Sequence, residues 1–395
     1  MNNFVADRMN LLSTESAFDV LAKAKKLELE GRDIVHLEIG QPDFKTPQNI
    51  IDAAQIAMNQ GYTGYTPAPG LLETREAIAE YCMKHKNVKT SPEEIVVVPG
   101  GKPIMFYTML TLINPGDEVI YPNPGFPIYE SNIKFAGGIP VPMPLLEENG
   151  FSLDIEKFKE LITDKTKLII LNTPSNPTGG VIPKEDIIAI AEIIKSKDIY
   201  VLSDEIYDRI IYDGENFSIA SIPEMKDKTI ILDGFSKTYS MTGWRLGYGV
   251  MNKELASHFT MLMVNSNSCS AAFTQRAAIE ALTGPQDAVE EMVIEFKRRR
   301  DFIVKALNEI PGVSCLSPKG AFYVFPNIKE TGMSSKEFAD RLLNEGNVAS
   351  LAGTAFGSYG EGYLRFSSAN SMENLEKAID YMDKFVRKNL VLSHA

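Results

Sequence analysis

The chain has 395 residues, of which 44% are hydrophobic, so it is long enough to bury a large core and is not of disordered composition. Its 40 basic and 52 acidic residues give a net charge of −12, which disfavours nucleic acid and anionic lipid as partners. The three cysteines, Cys82, Cys269 and Cys315, lack the paired spacing of a disulfide framework or a zinc site.

The first ten residues include Asp7 and Arg8 and lack the apolar segment of a leader peptide. Nowhere does the chain contain a run of about 18 apolar residues, the length that a transmembrane helix needs. We therefore expect a cytoplasmic protein that is neither secreted nor inserted in a membrane.

Short apolar runs alternate with helix-like segments between residues 92 and 250. The predicted strands are 95–98, 118–121, 168–171, 200–203, 230–233 and 246–250. Segments 104–112, 155–162 and 184–195 have helical periodicity. Continuously apolar strands joined by helical crossovers predict a mostly parallel sheet with helices on both faces, which is an α/β fold.

The pattern of apolar and charged residues changes after residue 285. A long charged helix is predicted over 289–307, strands over 321–325 and 363–366, and a final helix over 373–389 with Asn370 as its N-cap. The basic cluster at 297–300 is interpreted as a solvated helix face rather than a nucleic-acid site. We expect an N-terminal segment, 1–45, that packs with a small α+β domain, 286–395, and a large domain, 46–285.

Polar residues follow four of the predicted strands, at the end where open α/β sheets bind ligands. Gly100 and Gly101 follow the first strand and precede a helix, so their amides suit a phosphate. A tight turn without a ligand would have the same sequence. The segment 172–179 and the pair Asp204-Glu205 follow two further strands.

Lys237 and Asp204 each follow a buried strand, where an isolated charge is costly. A Schiff base would resolve that cost for Lys237, and a protonated pyridine nitrogen would do so for Asp204. The alternatives are a lysine that extends to solvent and an aspartate that caps a helix. Arg245, eight residues after Lys237, could bind a phosphate or form an ordinary ion pair.

These motifs resemble those of class I/II aminotransferases of the aspartate aminotransferase superfamily, which have pyridoxal phosphate (PLP) fold type I. The most specific is the segment 236–248, SKTYSMTGWRLGY, which looks like the family's lysine attachment signature. The segments 174–179 (PSNPTG), 203–207 (SDEIY) and 40–44 (GQPDF) support it. The resemblance covers nearly the whole chain and implies a large domain with a mostly parallel sheet plus a smaller α+β domain.

The resemblance implies that pyridoxal 5′-phosphate is held as a Schiff base by Lys237, while Asp204 keeps its ring nitrogen protonated. Further cofactor contacts are implied for Asn176 and Tyr207 at the ring hydroxyl, Phe126 on the ring face, and Gly101, Lys102, Ser236 and Arg245 at the phosphate, with Tyr65 reaching across from a second subunit. A homodimer with shared active sites follows.

For the substrate, the resemblance implies that Arg365 binds the α-carboxylate beside Gly40 and Asn176, although an exposed strand arginine would have the same sequence. Lys102 either faces the side-chain carboxylate of acidic substrates or extends to solvent. The expected reaction moves an amino group from an L-amino acid to a 2-oxo acid by a ping-pong route. The alternatives are a PLP-dependent lyase on the same fold and, more remotely, a PLP-sensing regulator, for which the chain has no convincing DNA-binding segment.

Overall fold

The computed structural model describes residues 4–393, and its centre is a seven-stranded sheet. The strands are β1 (Val35–His36), β2 (Ile95–Val98), β3 (Glu118–Asn123), β4 (Ile139–Pro144), β5 (Thr166–Asn172), β6 (Tyr200–Asp204), β7 (Thr229–Gly234), β8 (Gly247–Val250), β9 (Tyr323–Val324), β10 (Val348–Ala349), β11 (Leu351–Ala352) and β12 (Leu364–Ser367).

Helices cover both faces of this sheet and the C-terminal part of the chain. They are α1 (Ser16–Leu29), α2 (Gln48–Asn59), α3 (Leu72–Lys86), α4 (Lys102–Leu112), α5 (Ile128–Phe135), α6 (Ile155–Leu161), α7 (Lys184–Ile194), α8 (Pro223–Lys226), α9 (Lys253–Ser266), α10 (Ala272–Thr283), α11 (Asp287–Leu307), α12 (Ser335–Gly346) and α13 (Met372–Ser393). No helix in the described part of the chain has the length and apolar composition that a membrane crossing requires.

The large sheet has the strand order β2-β8-β7-β6-β5-β3-β4. Strand β8 is antiparallel to both of its neighbours, and the other pairs are parallel. This confirms the predicted α/β fold with a mostly parallel sheet, and each predicted strand of the sheet is present. The carboxyl ends of β5, β6 and β7 lie side by side, which brings the residues that follow them together.

Successive residues of a strand point to opposite sides of the sheet, and helices pack on both sides, so both faces are buried. In β5 and β6, Ile170 and Leu202 pack with Phe259 of α9, whereas Ile169 and Val201 pack on the other face among residues of α6 and α7. Burying an aliphatic side chain of this size contributes roughly 1.5–3 kcal/mol. These paired layers therefore hold the strand ends in place.

The sequence does not predict strand β4, because this strand contains Pro140, Pro142 and Pro144. A proline cannot donate a hydrogen bond to a neighbouring strand, and it is normally a sign against a strand. Here β4 is the edge of the sheet, and its prolines alternate with residues that can donate to β3. An edge strand needs donors on one side only.

The remaining strands form two small sheets. Strands β11, β12 and β9 are antiparallel neighbours, and β1 near the N-terminus pairs in parallel with β10. Residues of α11, α12 and α13, such as Leu307, Phe338 and Met382, pack against them in a separate core.

The C-terminal part differs from the sequence prediction in two features. The residue that caps α13 is Ser371, not Asn370, because the Ser371 hydroxyl accepts a hydrogen bond from the Asn374 amide at 3.2 Å. The basic cluster in α11 is not wholly solvated: Arg299 and Arg300 are buried. Ion pairs with carboxylates outside the predicted helix explain this burial, since both arginines reach partners brought close only by folding.

Candidate active site

A cavity of about 650 Å³ lies at the carboxyl ends of β5, β6 and β7. All of the predicted site residues except Tyr65 line it: Gly40, Gly101, Lys102, Phe126, Asn176, Asp204, Tyr207, Ser236, Lys237, Arg245 and Arg365. Tyr65 is 92% exposed and lies outside the cavity of its own chain. Residues that are far apart in sequence therefore meet in one place.

One end of the cavity is rich in donors for an anion. Helix α4 begins at Lys102, and its N-cap Gly101 offers no side-chain acceptor to the free amides of the first turn. The Arg245 guanidinium lies so close to Gly100 that a Cβ at this glycine would be 2.1 Å from Nη2. The helix end, the guanidinium and the buried Ser236 hydroxyl fit a phosphate group.

Asp204 is the last residue of β6 and is buried. Its Oδ2 accepts a 2.6 Å hydrogen bond from the Tyr129 hydroxyl, and its Oδ1 accepts a 3.3 Å bond from the Ile206 amide. Burial raises the pKa of Asp204 to about 6, and these two hydrogen bonds oppose that rise. A carboxylate in this position favours a cationic partner, and a protonated ring nitrogen is such a partner.

Lys237 lies just beyond the end of β7 and is partly buried. Its Nζ donates a 2.6 Å hydrogen bond to the Gly40 carbonyl. Burial lowers the pKa of Lys237 to about 8, and the positive charge of Arg365 acts in the same direction. An amine with this pKa is partly neutral near pH 7.5, and the neutral form is the one that reacts with an aldehyde.

Arg365 lies in β12 and is 4% exposed, so it is not a surface arginine. Its Nη1 donates a 3.3 Å hydrogen bond to the Asn176 side chain, and its Nη2 donates to the Glu38 carbonyl. The guanidinium lies 4.6 Å from the ring centre of Tyr323. Its Nε is buried without a hydrogen-bond partner among the described residues, as expected for a site that binds a carboxylate.

Tyr207 and Tyr323 form a pair beside Lys237. Their hydroxyl oxygens are 2.8 Å apart, and both side chains are buried. A Cβ at Gly40 would lie 2.1 Å from the Tyr323 hydroxyl, so this position accommodates only glycine. Gly40 is thus packed against Tyr323 on one side, and its carbonyl accepts the hydrogen bond from Lys237.

Lys102 forms a contact that the sequence did not predict. Its ammonium pairs with the carboxylate of Glu15, which also lines the cavity. The same ammonium lies 5.5 Å from the ring centre of Phe126. Lys102 thus has a carboxylate partner within the protein.

A buried charge network behind the cavity was also missed. Lys86, the last residue of α3, has no exposed side-chain surface, and its ammonium contacts Asp208, Glu205 at 2.9 Å and Asp233 at 3.0 Å. The nearby carboxylates raise the pKa of Lys86, against the effect of burial, so it stays charged. Because Glu205 directly follows Asp204, the network supports the strand end that carries the site.

Of the missed residues, Tyr129 had the clearest signal in the sequence. It follows Phe126 by three residues, and a turn in which the Tyr129 amide donates a 3.1 Å hydrogen bond to the Phe126 carbonyl places both side chains at the cavity. Glu15, Tyr323 and Lys86 gave no comparable signal, because nothing in their local sequence distinguishes them from surface or core residues.

The arrangement of an amine, a buried carboxylate, an anion-binding helix end and a buried arginine defines a pyridoxal-phosphate enzyme that acts on amino acids. The family model for aminotransferase class I and II matches residues 32–382, and the chain belongs to this family. It is therefore an aminotransferase, and its cofactor is pyridoxal 5′-phosphate.

Relatives and solved structures agree with this assignment. The chain is 42% identical to an aspartate aminotransferase of Bacillus sp. (strain YM-2), over 98% of this chain and 100% of that one. It is 40% identical to aromatic-amino-acid aminotransferase 2 of Thermococcus litoralis, over 97% of this chain and 98% of that one. The aspartate aminotransferase of Thermus thermophilus, solved with maleate, superposes with a TM-score of 0.93 at 36% identity, over 97% of this chain and 100% of that one.

Proposed function

We propose that this enzyme moves the amino group of an L-amino acid to a 2-oxo acid in two half-reactions, with the cofactor attached to Lys237. The observation that carries the proposal is the meeting of Lys237, Asp204 and Arg365 in one cavity. When bound, the cofactor supplies an electron sink that stabilises the negative charge left on the substrate Cα after loss of its proton.

Each side chain has a defined task in this proposal. Arg365 binds the substrate α-carboxylate, since its buried Nε lacks a partner among the described residues and Asn176 orients its Nη1. Once the substrate amine has taken its place on the cofactor, the released Lys237 amine would accept the proton from the substrate Cα, which its lowered pKa of about 8 favours. Asp204 holds the proton on the ring nitrogen through its buried carboxylate.

The other cavity residues bind and orient the cofactor. The amides of Gly101 and Lys102, the hydroxyl of Ser236 and the guanidinium of Arg245 bind the phosphate. Tyr207 and Asn176 donate to the ring hydroxyl, and Phe126 covers the ring face. Gly40 lies beside the substrate, and its carbonyl accepts a hydrogen bond from Lys237 when the amine is free.

The proposal is tested by an absorbance spectrum of the purified protein with pyridoxal phosphate, followed by a panel of amino acids and 2-oxo acids. We expect a yellow band that is lost on addition of a donor and restored by a 2-oxo acid. Lys237→Ala should lose the band and the activity, whereas Asp204→Asn should keep the cofactor but be nearly inactive. Full turnover by Asp204→Asn, or release of ammonia with no acceptor present, would contradict the proposal, and the second result would identify a lyase.

A homodimer with shared active sites is part of the proposal. Tyr65 is 92% exposed. Helices α4 and α9 pack together and carry exposed apolar side chains, Leu110 on α4 and Met261 and Val264 on α9. The N-terminus of α4 lies in the site. A second copy covering this face would bury these apolar side chains and supply Tyr65 of the partner subunit to the phosphate.

Hybrid enzymes test this arrangement. Lys237→Ala and Tyr65→Phe chains, each impaired alone, should regain activity when mixed, because one of the two sites then combines Lys237 with Tyr65 of the partner subunit. If Tyr65 acts within its own chain, mixing restores nothing.

Two further parts of the proposal concern organisation and location. We assign residues 1–45 to an N-terminal segment that packs with the small domain, 46–285 to the large domain and 286–395 to the small domain. This division is supported by the pairing of β1 with β10 and by the separate core of α11 to α13. A cytoplasmic location is supported by the free state of Cys82, Cys269 and Cys315.

Lys102 is proposed to bind the side-chain carboxylate of acidic substrates, since its ammonium lies at the cavity and relatives include aspartate aminotransferases. Lys102→Met should then weaken the use of aspartate, glutamate and 2-oxoglutarate more than that of other donors. Equal losses for all donors would mean that Lys102 serves the phosphate alone.

A further inference from the structure

The carboxylate of Glu15 forms an ion pair with the ammonium of Lys102, and both residues line the active-site cavity. Glu15 immediately precedes α1, and its side chain is 18% exposed. The next residues of this segment, Ala17 and Phe18, line the same cavity. The N-terminal segment therefore places a negative charge where a substrate side chain would lie.

The charge of Glu15 also acts on the other cations of the site. Burial lowers the pKa of both Lys237 and Arg365, and the negative charge of Glu15 opposes that shift at each of them. Glu15 consequently faces the same space as the amine and the guanidinium, rather than pairing with Lys102 on a remote surface.

This position has a consequence for acidic substrates. Aspartate and glutamate carry two carboxylates, one for Arg365 and a second that needs its own cation. Of the cations that line the cavity, Arg245 is proposed for the phosphate and Arg365 for the α-carboxylate. Lys102 remains for the second carboxylate, but Glu15 already pairs with it. An acidic side chain must therefore displace Glu15 and then lie near a second negative charge, which costs free energy.

An uncharged side chain meets different surroundings. The pair of Glu15 and Lys102 has no net charge, and apolar surface from Phe18, which is 63% exposed, and from Phe126 adjoins it. A neutral ion pair beside aromatic rings accepts an apolar or aromatic side chain more readily than a bare ammonium does.

We propose that Glu15 is a specificity-determining residue that neutralises Lys102, favours donors with uncharged side chains and makes dicarboxylic substrates compete for Lys102. The inference rests on the proposed function, because it concerns the substrate of that reaction. Displacement is feasible because the Glu15 side chain makes no cap bond to α1 and the side chain of its partner, Lys102, is 51% exposed.

The test compares two unreactive ligands of the cofactor-loaded enzyme: maleate, with two carboxylates, and 3-phenylpropionate, with one carboxylate and an aromatic ring. Their Kd values are measured from the change in cofactor absorbance. Glu15→Gln should lower the Kd of maleate about 10-fold or more, the size of one charge-assisted interaction, and change that of 3-phenylpropionate less than about 2-fold. The ratio of kcat/KM for aspartate over phenylalanine should rise to a similar extent.

Three controls define the result. Glu15→Ala should behave as Glu15→Gln, so the outcome does not depend on the glutamine side chain. In the Glu15→Gln, Lys102→Met double variant the gain for maleate should vanish, because the effect acts through Lys102. Glu30→Gln removes an equal charge just beyond the exposed end of α1 and should alter neither Kd.

Equal changes for both ligands, weaker maleate binding by Glu15→Gln, or a gain that persists without Lys102 would overturn the inference. These outcomes are separate from failure of the proposed function. That failure would be a wild-type enzyme that transfers amino groups from no donor, whereas failure of the inference is an active enzyme whose selectivity is independent of Glu15.

Discussion

The Tyr129 hydroxyl donates a 2.6 Å hydrogen bond to Oδ2 of Asp204, and both side chains are buried. Burial alone raises the pKa of the Asp204 carboxyl, and this hydrogen bond opposes the rise. Tyr129 thus helps to keep Asp204 negative, which is the state that holds a proton on the ring nitrogen of the cofactor.

Tyr129→Phe should therefore lower kcat about 10- to 100-fold, the equivalent of one hydrogen bond to a charged group. Steady-state kinetics with saturating cofactor would measure the loss. Tyr121→Phe is a matched control, because the Tyr121 hydroxyl bonds to Glu130 at 3.0 Å and does not line the cavity. Similar losses in the two variants would show that the effect is general to buried tyrosines and does not act through Asp204.

The lowered pKa of Lys237 predicts how the cofactor-free protein reacts with pyridoxal phosphate. The amine must be neutral to attack the aldehyde, and its pKa of about 8 means that the neutral fraction rises steeply between pH 7 and pH 9. The rate of cofactor incorporation, followed by the yellow band under stopped-flow conditions, should rise through this range and level off above it. A rate that keeps climbing toward the ordinary lysine value of 10.5 would contradict the effect of burial.

Lys86→Met should destabilise the protein strongly, because it leaves the carboxylates of Glu205, Asp208 and Asp233 buried without their cation. Breaking a buried ion pair by removing one partner costs about 3–5 kcal/mol. Urea unfolding at saturating cofactor would measure the free energy of unfolding. Lys84→Met, on the exposed side of the same helix, should change it by less than about 0.5 kcal/mol. Comparable stability of the two variants would mean that Lys86 does not neutralise the network.

His36 predicts a pH-dependent contribution to stability. Its Nδ1 lies 2.8 Å from Glu38 and its Nε2 lies 3.1 Å from Glu28, and the bond to Glu38 is the main reason that its pKa rises to about 9. Because the pKa of His36 is higher in the folded state, protonation of His36 stabilises that state. This stabilisation is complete below the pKa of the unfolded chain, about 6.5, and is lost as pH rises through about 9.

His36→Gln should therefore cost about 2 kcal/mol at pH 6, less than the full pKa shift would give because solvent screens this partly exposed pair, and the difference from wild type should disappear near pH 10. Urea unfolding at the two pH values measures the change. A deficit that is the same at both would assign the role of His36 to packing rather than charge.

Local sequence was sufficient to predict most strands of the large sheet and much of the site. The strands of the large sheet are continuous apolar runs, and Asp204 and Lys237 follow two of them directly. In a parallel sheet the carboxyl ends of the strands lie at one edge, so the topology of the sheet brings Asp204 and Lys237 close together. The proline-rich strand β4 was the exception, because its tolerance of proline depends on its being at the edge.

The sequence by itself determined the α/β fold and the chemical groups of the site, because hydrophobic period and position after a strand are local properties. Only the tertiary structure decided the partners of those groups. Tyr129 and Asp204 are 75 residues apart, Glu15 and Lys102 are 87 apart, and Lys86 is more than a hundred residues from the carboxylates it holds. Charges buried by folding need partners, and which ones they find depends on how distant segments pack.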